Sequence, residues 1–481
     1  MTPVPRTAAI RLRFLLPAVI AVAASTCATN PVTGRRELSL ISESQEIAMG
    51  QEAAQQTVQS IGVVPDSSLQ RYVSSLGMAM ARASERPNLP WSFTVIDDPM
   101  VNAFALPGGP IFITRGILTH MNSEAQLVSV LGHEIGHITA KHSVQQMSQA
   151  QLAQIGLVTA MIVKPELAQF GDLASQGLGL LFLKFGRNDE LQADDLGFRY
   201  MVNAGYAPSE MAEMFRTLGR LGSGGEGRVP QWLSTHPDPG NRVQNTLDRI
   251  SSHTSLAPNL KVDRDEFLQR TEELIFGINP RQGFFRQNEF LHPDLRFHFD
   301  FPQGWQTANQ ATQVAAVSPQ QDAIVVLSLA GTTSPDQALS QFLGQQGISN
   351  EGESSASVNG LPAAAAAFSA QTEQGVLTGR VVFVSLDGRT YRLLGYTPAQ
   401  RAGAYRTDFQ RSLSSFRRLT DQAALNAQPV RVKLVRLSRA TTVSQFQAAY
   451  PSTIPVEQVA LINGVDANAT FPASAIVKQV R

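Results

Sequence analysis

The chain has 481 residues, which is enough for roughly two to four domains that each bury their own core. Lysine and arginine together number 39, and so do aspartate and glutamate, so the formal net charge is zero and no basic field favours nucleic acid as a partner. With 43% hydrophobic and 16% charged residues, the composition is typical of a folded protein and excludes global disorder.

Residues 1–26 have the pattern of a secretory signal. Three arginines precede the eleven-residue apolar run FLLPAVIAVAA, which is too short to span a bilayer. Cys27 is the only cysteine and stands where the signal should end, so it has no intramolecular disulfide partner. The segment resembles a bacterial lipoprotein signal. This implies a removed signal peptide, a lipid on Cys27 and a periplasmic protein held at the outer membrane, because Ala28 follows the cysteine. Secretion with a free thiol is the alternative.

The segment VNAFALPGGPIFIT over residues 101–114 predicts a β-hairpin. Apolar residues alternate along its first half, and Gly108 and Gly109 supply the turn into the second strand. From the residues alone, an ordinary internal hairpin is a sufficient interpretation.

The segment SEAQLVSVLGHEIGHITAKH over residues 123–142 predicts an amphipathic helix. Ser123 and Gln126 have the spacing of a capping box, and an apolar stripe recurs at helical spacing. The members of the stripe are Leu127, Val130, Leu131, Ile135 and Ile138. His133 and His137 lie one turn apart beside the stripe, so one zinc ion could bind both imidazoles. Histidines that a buried helix happens to contain are the alternative.

Glu134 follows the first of these histidines and is offset from both. It can reach a water on a metal without coordinating the metal, which is the position of a general base. The longer pattern H-E-x-x-H-x-x-G-x-x-H is excluded, because Ala140 and Ser143 occupy the required positions. His142 projects about 140° away from His137, so we expect it to face solvent or to support the site from behind.

The apolar stretch over residues 153–186 is interrupted by polar residues and a proline. Lys164, Pro165, Glu166 and Asp172 divide it into pieces shorter than a membrane span. A buried helical hairpin is predicted, and a surface that leans on a membrane or covers a cleft is the alternative.

The segment RNDELQADDLG places two carboxylates on one face of another predicted helix. Glu190 and Asp194 are four residues apart, and the N-cap of the helix is expected at Asn188 or Asp189. From the residues alone, a solvated helix face is the alternative.

A glycine-rich segment, GSGGEG at residues 222–227, precedes the loop STHPDPGNR. This loop carries His236 and Arg242, and loops of this kind commonly carry functional residues. A surface turn without a role is the alternative.

Residues 290–418 predict an α+β domain. LRFHFDFPQGW and AIVVLSLAG are typical of strands, and SPDQALSQFL is typical of a helix with Ser334 as its cap and Pro335 at its first position. VVFVSLDGRTYRLLGY predicts a hairpin that turns at Asp387 and Gly388. No cluster of titratable residues marks a site here, so packing or partner binding is the default role, and TDQAALNAQP is typical of a linker.

Taken together, these segments resemble the gluzincin metallopeptidases related to the CAAX prenyl protease and the bacterial heat-shock membrane peptidase, and especially their soluble periplasmic branch. The resemblance runs in family order from CATNPVTGRRELSLIS at Cys27 to STHPDPGNRV ending at Val243. It implies one zinc ion per chain, bound by His133, His137 and Glu190.

The resemblance also implies roles for residues around the metal. Asp194 is expected to orient a ligand histidine, and Glu134 to act as the general base. His236 and Arg242 are expected to be catalytic, with His236 either stabilising the oxyanion or occupying the open zinc position. An extended peptide substrate is expected to pair with a strand along the cleft. The residues of that strand are Asn102, Ala103 and Phe104.

The C-terminal residues 429–481 resemble a LysM module, a small βααβ domain that binds glycan strands of peptidoglycan. The residues that fit the LysM pattern are Thr442, Phe446, Val459, Leu461, Asn463 and Val477. Ala473 and Ser474 stand where a glycine is usual, which departs from the pattern.

The sequence therefore predicts an α+β architecture in three parts. These are a mainly helical HExxH zincin peptidase domain with a small sheet at 27–275, an α+β domain at 290–418 and a LysM-like βααβ module at 429–481. The implied function is a zinc-dependent endopeptidase of the bacterial cell envelope that acts on misfolded or misassembled envelope proteins. Expected partners are those substrates, a membrane through the lipid anchor and peptidoglycan through the tail, but no nucleic acid. A chaperone-like or peptidoglycan-associated binding factor with little proteolytic turnover is the alternative.

Overall fold

The structure is a computed structural model that describes residues 27–151, 185–223, 232, 235–236, 241–253, 256–372 and 375–481. The expected signal peptide and nearly all of the apolar stretch at 153–186 lie outside the described residues, so the predictions for them are not addressed by the fold. Within the described ranges, no helix is long and apolar enough to cross a membrane.

The chain divides into two compact units. One comprises the described residues up to Val58 together with Val63–Leu274 and Arg431–Arg481, and the other comprises Gln59–Gly62 and Ile275–Val430. The C-terminal residues therefore belong to the same unit as the helix with the HExxH motif.

The first unit is mainly helical, as predicted for the peptidase domain. Its helices before residue 275 are α1 (Glu43–Ile61), α2 (Ser67–Arg82), α3 (Arg115–His120), α4 (Glu124–Thr139), α5 (Arg187–Asn203), α6 (Ser209–Ser223), α7 (Arg242–Ser252) and α8 (Arg264–Thr271). Two short strands, β1 (Cys27–Thr29) and β2 (Arg36–Leu38), pair with each other. A three-stranded sheet contains β3 (Ser92–Ile96), β4 (Ala103–Ala105) and β5 (Pro110–Thr114).

The predicted hairpin at 101–114 is confirmed as β4 and β5. Gly108 and Gly109 have φ angles of 75° and 130°, a backbone region that glycine adopts without strain. The strand order is β3-β5-β4, with β5 parallel to β3 and antiparallel to β4. Strand β4 is therefore an edge strand, and its outer edge has no partner strand in this sheet.

Helix α4 lies at the centre of the first unit, and all 16 of its residues are buried. Ser123 is its N-cap, as predicted, and the Ser123 hydroxyl accepts a hydrogen bond from the N–H of Gln126 at 3.2 Å. The Gln126 side chain accepts from the N–H of Asn122 at 2.7 Å rather than from Ser123, so the predicted capping box is incomplete. A helix surrounded on all sides explains why its apolar residues exceed one stripe.

Helices α4 and α5 cross closely because glycines lie at the crossing. A Cβ atom added at Gly197 would lie 2.9 Å from the backbone nitrogen of His133, and one at Gly136 would lie 3.1 Å from the carbonyl oxygen of Ala193. These contacts leave no room for larger side chains, and they bring the two carboxylates of α5 within reach of the histidines of α4.

The N-cap of α5 differs from the prediction. The cap residue is Gly186, so the expected cap at Asn188 or Asp189 is wrong by two or three residues. Asp189 instead accepts from the N–H of Gly186 at 3.0 Å, which is the reciprocal half of a capping box. Either of two nearby polar residues satisfies the sequence pattern, and the approach of the preceding chain decides between them.

The second unit is an α+β domain, as predicted. Its strands are β6 (Phe284–Arg286), β7 (Glu289–His292), β8 (Phe297–Asp300), β9 (Gln306–Asn309), β10 (Gln313–Val317), β11 (Ile324–Gly331), β12 (Ile348–Val358), β13 (Leu361–Thr372), β14 (Gly375–Leu386), β15 (Arg389–Pro398) and β16 (Arg417–Arg418). Its helices are α9 (Pro335–Leu343), α10 (Ala402–Leu413) and α11 (Gln422–Leu425), the last of which lies in the expected linker.

The strands of the second unit form two antiparallel sheets, with the orders β12-β13-β14-β15-β11-β10-β9 and β16-β8-β7-β6. The predicted hairpin is confirmed as β14 and β15, with Asp387 and Gly388 at φ angles of 50° and 75°. The predicted cap of α9 is also confirmed, because Ser334 accepts from the N–H of Gln337 at 3.3 Å.

The C-terminal segment, residues 431–481, has two strands, two helices and two further strands, so each side of the predicted βααβ order has one short strand more than expected. Its elements are β17 (Val432–Arg436), β18 (Thr441–Thr442), α12 (Val443–Ala449), α13 (Val456–Ile462), β19 (Thr470–Phe471) and β20 (Ile476–Val480). Strands β17 and β20 pair antiparallel, and so do β18 and β19. The assignment to the LysM family itself stays a prediction.

Candidate metal centre

His133, His137 and Glu190 meet where α4 crosses α5. The Nε2 atoms of the two histidines lie 3.0 Å apart. Glu190 Oε1 lies 3.4 Å from His137 Nε2, and Glu190 Oε2 lies 3.5 Å from His133 Nε2. All three side chains are buried. The structure thus brings together the three residues that the resemblance implies as ligands.

His236 completes a cluster of four side chains. Its Nδ1 lies 3.2 Å from His133 Nε2 and 3.0 Å from Glu190 Oε1. Around a tetrahedral zinc ion with bonds near 2.0–2.1 Å, neighbouring ligand atoms are about 3.3 Å apart. The four donor atoms lie within 4.8 Å of one another, and imidazole and carboxylate are donors that zinc accepts. The residues therefore fit a zinc ion.

Burial and charge favour the ligand forms of Glu190 and His137. Burial alone raises the pKa of Glu190, but the neighbouring His236 and hydrogen bonds from His137 outweigh it and hold the pKa well below its usual range. Burial lowers the pKa of His137 well below its usual value. A carboxylate anion beside a neutral imidazole is the protonation state that metal binding needs.

Asp194 and Arg242 hold His133 from behind. Asp194 Oδ1 lies 3.0 Å from His133 Nδ1, which leaves Nε2 facing the cluster. Arg242 donates to both oxygens of Asp194, with a distance of 2.9 Å from Nε to Oδ2, and its guanidinium lies 4.0 Å from the centre of the Phe215 ring. In this geometry Arg242 positions another side chain; the catalytic role implied for it stays a prediction.

His142 contacts the other ligand histidine. Its Nδ1 lies 2.9 Å from His137 Nδ1, and its Nε2 lies 3.0 Å from the Gln192 side-chain oxygen. Because Asp189 also faces Nε2, at 4.0 Å, the proton of a neutral His142 is favoured on Nε2, and Nδ1 can accept from His137. Of the two expectations for His142, support from behind agrees with the structure, and exposure to solvent is wrong.

Glu134 is fully buried beside the cluster without joining it. Among the described residues, neither of its carboxylate oxygens has a hydrogen-bond partner, and His236 Nε2 lies 3.6 Å from Oε1. Burial raises the pKa of Glu134 above its usual value. A carboxylate with a raised pKa and unused lone pairs is suited to accept a proton from a reactant.

Two aromatic rings cover the cluster, and sequence reasoning did not single them out. Phe185 stacks on His137 with ring centres 4.0 Å apart, and Trp232 stacks on His236 at 4.2 Å. The backbone N–H of Trp232 also donates to the carbonyl of Val101 at 3.3 Å. An aromatic residue four positions before a candidate ligand on a helical turn is a signal that could have identified Trp232.

The expected substrate strand, Asn102 to Phe104, lies next to Trp232, which bonds Val101. Ala103 and Phe104 belong to edge strand β4, and Phe104 stacks on Phe112 of the central strand with ring centres 5.2 Å apart. Asn102 is buried, and its side-chain oxygen has no hydrogen-bond partner among the described residues. Strand β4 has no partner strand on its outer edge in this sheet, and main-chain pairing of a substrate there stays a prediction.

Comparison with known proteins identifies the domain that carries this cluster. Residues 67–250, which contain all four clustered side chains, match peptidase family M48. Residues 67–250 form an M48 peptidase domain. The predicted metallopeptidase assignment is confirmed for this domain, whereas the lipoprotein branch stays a prediction.

Relatives of the M48 peptidase domain include a plant protein and a bacterial protein. The chain is 33% identical over 183 residues to mitochondrial metalloendopeptidase OMA1 of Arabidopsis thaliana, covering 37% of this chain and 36% of that protein. It is 28% identical over 241 residues to the beta-barrel assembly-enhancing protease of Escherichia coli strain K12, covering 47% of this chain and 48% of that protein. The chain thus spans half or less of the length of these two relatives.

Among solved structures, the chain is similar to cyanobacterial PsbP from Synechocystis sp. PCC 6803. The match has 11% sequence identity and a TM-score of 0.24, and it covers 27% of this chain and 91% of that one.

Proposed function

We propose that this protein is a zinc endopeptidase of the bacterial cell envelope that acts on misfolded or misassembled envelope proteins. The observation that carries the proposal is the buried cluster of three histidines and one glutamate with Glu134 unpaired beside it. The names of the two relatives, a metalloendopeptidase and a beta-barrel assembly-enhancing protease, support both the reaction and the class of substrate. The proposal assigns one zinc ion per chain, held at the cluster of His133, His137, Glu190 and His236.

His133, His137 and Glu190 are the residues that hold the metal in this proposal. When bound, zinc supplies Lewis-acid polarisation of the scissile carbonyl and makes a water molecule more acidic. Glu134 accepts the proton of the attacking water and returns it to the leaving amine, for which its raised pKa and unpaired oxygens are suited. Asp194 keeps the Nε2 atom of His133 directed at the metal.

His236 would close the site at rest. Its Nδ1 lies 3.2 Å from His133 Nε2 and 3.0 Å from Glu190 Oε1, so it would supply the fourth ligand that a catalytic zinc site leaves to water or substrate. The loop that carries His236 also bonds Val101 through Trp232, directly before the proposed substrate strand. We assign His236 an inhibitory role at rest rather than oxyanion stabilisation, so cleavage requires the His236 side chain to leave the cluster.

A chaperone-like binding factor with little turnover is the second candidate. The contacts of His236 with His133 and Glu190 favour it, because a fourth side chain at the metal cluster would limit turnover. Attachment to the outer membrane through a lipid on Cys27 and contact of the C-terminal segment with peptidoglycan complete the proposal. Incorporation of labelled fatty acid into wild type, and its loss in Cys27→Ala, would support the lipid anchor.

Glu134→Gln tests the reaction. The change keeps side-chain volume and leaves all ligands in place, so zinc content should be preserved while hydrolysis of casein and of misassembled envelope proteins falls by about 100-fold to 10,000-fold. Glu124→Gln is a matched control, since Glu124 lies in the same helix and its side chain accepts from the hydroxyls of Tyr72 and Tyr206. This control should cleave at the wild-type rate.

His236→Ala distinguishes the two candidate functions. In the closed-state proposal, removing the fourth ligand raises the rate of cleavage, whereas loss of an oxyanion donor would lower it by about 100-fold to 1,000-fold. Cleavage by wild type and by Glu134→Gln at equal rates would exclude the peptidase mechanism. Absence of cleavage by both wild type and His236→Ala, with normal zinc content, would favour the binding factor.

A further inference from the structure

The C-terminal segment packs against the peptidase domain through strand β20. Residues alternate along this strand, so Val477 lies in the core of the segment, and Ile476 lies in the core that contains the residues of α4. All five residues of β20 are buried. One face of the strand therefore packs in the core of the segment, and the other face packs in the core that contains α4.

Lys478 is the charged residue of β20, and it is only 1% exposed. Its Nζ donates to the main-chain carbonyls of Thr119 at 2.9 Å and Met121 at 2.8 Å. Its own backbone is fixed by Asn463, whose side chain accepts from the Lys478 N–H at 2.8 Å and donates to the Lys478 carbonyl at 3.0 Å. One side chain thus joins parts of the chain that are 359 residues apart.

The two carbonyls that Lys478 binds are at the C-terminal end of α3. Carbonyls in the last turn of a helix have no partner within the helix, and both Thr119 and Met121 are buried. Burial, together with the charge of Arg264, lowers the pKa of Lys478 well below its usual value. A buried ammonium group is unfavourable unless it donates hydrogen bonds, and a buried carbonyl is unfavourable unless it accepts one. Lys478 and the two carbonyls meet both needs only while the segment is docked.

Further contacts hold the segment in the same place. Arg264 of α8 donates to the carbonyls of Asn122 at 3.2 Å and Ile476 at 3.4 Å, which links both sides of the interface. The backbone of Val432 in β17 exchanges hydrogen bonds of 2.9 Å with Glu273 and Leu274. The segment is therefore attached along both of its long strands.

We propose that the C-terminal segment is a fixed structural part of the catalytic unit, and that Lys478 holds the junction between α3 and α4 in place. Helix α4 begins at Glu124, three residues after Met121, and carries His133 about 14 Å further along its axis. A buried helix moves as one element, so a shift at its N-terminal junction also shifts the ligand histidines. The inference concerns how the segment supports the metal centre, and it holds whether or not the segment binds a glycan.

Lys478→Met in the full chain tests the role of the side chain. The change keeps the length of the side chain but leaves the carbonyls of Thr119 and Met121 without a donor. We expect hydrogen exchange at the amides of residues 117–125 to become about 10-fold to 100-fold faster. Lys433→Met is the matched control, because Lys433 lies on the paired strand and forms an exposed ion pair with Glu273. It should change exchange at 117–125 by less than about twofold. Unchanged exchange in Lys478→Met would overturn the proposal.

A cleavable linker tests whether the C-terminal segment is docked, and this test does not depend on the folding of the Lys478→Met variant. A protease site inserted after the exposed Gln428 allows the C-terminal segment to be cut from the folded full chain. We expect the cut segment to remain bound during gel filtration at about 1 μM, as a tight interface requires, and the segment carrying Lys478→Glu to separate. Separation of the wild-type segment at that concentration would show that it is not a fixed part of the unit. Retention of the Lys478→Glu segment would remove Lys478 from the proposed role.

Discussion

Arg242→Met should destabilise the metal-free protein strongly, because it breaks a buried ion pair from one side. Arg242 is 5% exposed and Asp194 is fully buried, and the guanidinium donates to both carboxylate oxygens. Removing one partner of such a pair leaves an uncompensated buried charge and costs about 3–5 kcal/mol. The loss of the guanidinium above Phe215 adds about 0.5–1 kcal/mol. Zinc affinity should also fall by about 10-fold to 100-fold, because Asp194 orients His133.

Arg249→Met is the matched control for this prediction. Arg249 lies on the same helix and pairs with Asp195, the neighbour of Asp194, at 3.2 Å, but the Asp195 side chain is 71% exposed. An exposed pair of this kind contributes only about 0–1 kcal/mol. Native-state hydrogen exchange of the amides of α4 and α5, recorded without zinc, measures the free energy of opening. Equal losses in the two variants, or a loss below about 1 kcal/mol in Arg242→Met, would refute the argument from burial.

The pH dependence of this effect has a defined sign. Burial raises the pKa of Asp194, but Arg242 and His133 outweigh burial and hold the pKa below its usual value. A carboxyl group whose pKa is depressed by folding stabilises the protein above its unfolded-state pKa, which is about 3.9. The difference between wild type and Arg242→Met should therefore be complete above pH about 5 and should shrink as the pH falls through the folded-state pKa.

Three further predictions concern single contacts of the same unit. His142→Leu removes the group that accepts from His137 and should lower zinc affinity by about 10-fold to 100-fold in a chelator competition, whereas His142→Gln, which can still accept, should restore most of it. Equal loss in both variants would contradict the positioning role. Gly197→Ala should lower the free energy of unfolding by about 1–3 kcal/mol and reduce zinc content, because its Cβ would lie 2.9 Å from the backbone nitrogen of His133. An unchanged melting temperature would show that α4 and α5 can separate without penalty. Glu46→Ala should lower the free energy of unfolding, measured with denaturant, by about 3–5 kcal/mol, because Glu46 forms a buried ion pair with Arg86 at 2.7 Å. Glu213→Ala breaks an exposed pair with Arg216 and is the control; an equal or smaller loss in Glu46→Ala would contradict the prediction.

Several features of this protein were determined by the sequence itself. Histidines four residues apart on a helix necessarily share a face, so His133 and His137 converge wherever that helix is placed. The turns at Gly108 and at Asp387 with Gly388, and the cap at Ser334, were also predicted correctly, because each depends on the conformations open to a few adjacent residues. Features of this kind depend on local geometry.

The partners of the ligand side chains were decided by the tertiary structure. His236 lies 103 residues from His133 in the sequence, and Gln192 lies 50 residues from His142, so no local period relates them. Helix α4 ends at Thr139 and Lys141 has a φ of 59°, so the chain leaves the helical path and His142 contacts His137; of its two expected positions, facing solvent or supporting the site, only the second is found. The packing of the chain, rather than the residue type, determines that Nδ1 of His142 faces His137 and that its Nε2 faces Gln192.

The C-terminal segment shows most clearly that the sequence does not identify contacts between distant parts of the chain. Its order of strands and helices follows from its own pattern, but a lysine within the run AIVKQV gives no sign of the surface that will cover it. The carbonyls that accept from Lys478 belong to a helix end more than 350 residues earlier, and they lack partners only because that helix stops at His120. A buried charge is tolerated where folding happens to bring unsatisfied acceptors together, and that coincidence exists only in three dimensions.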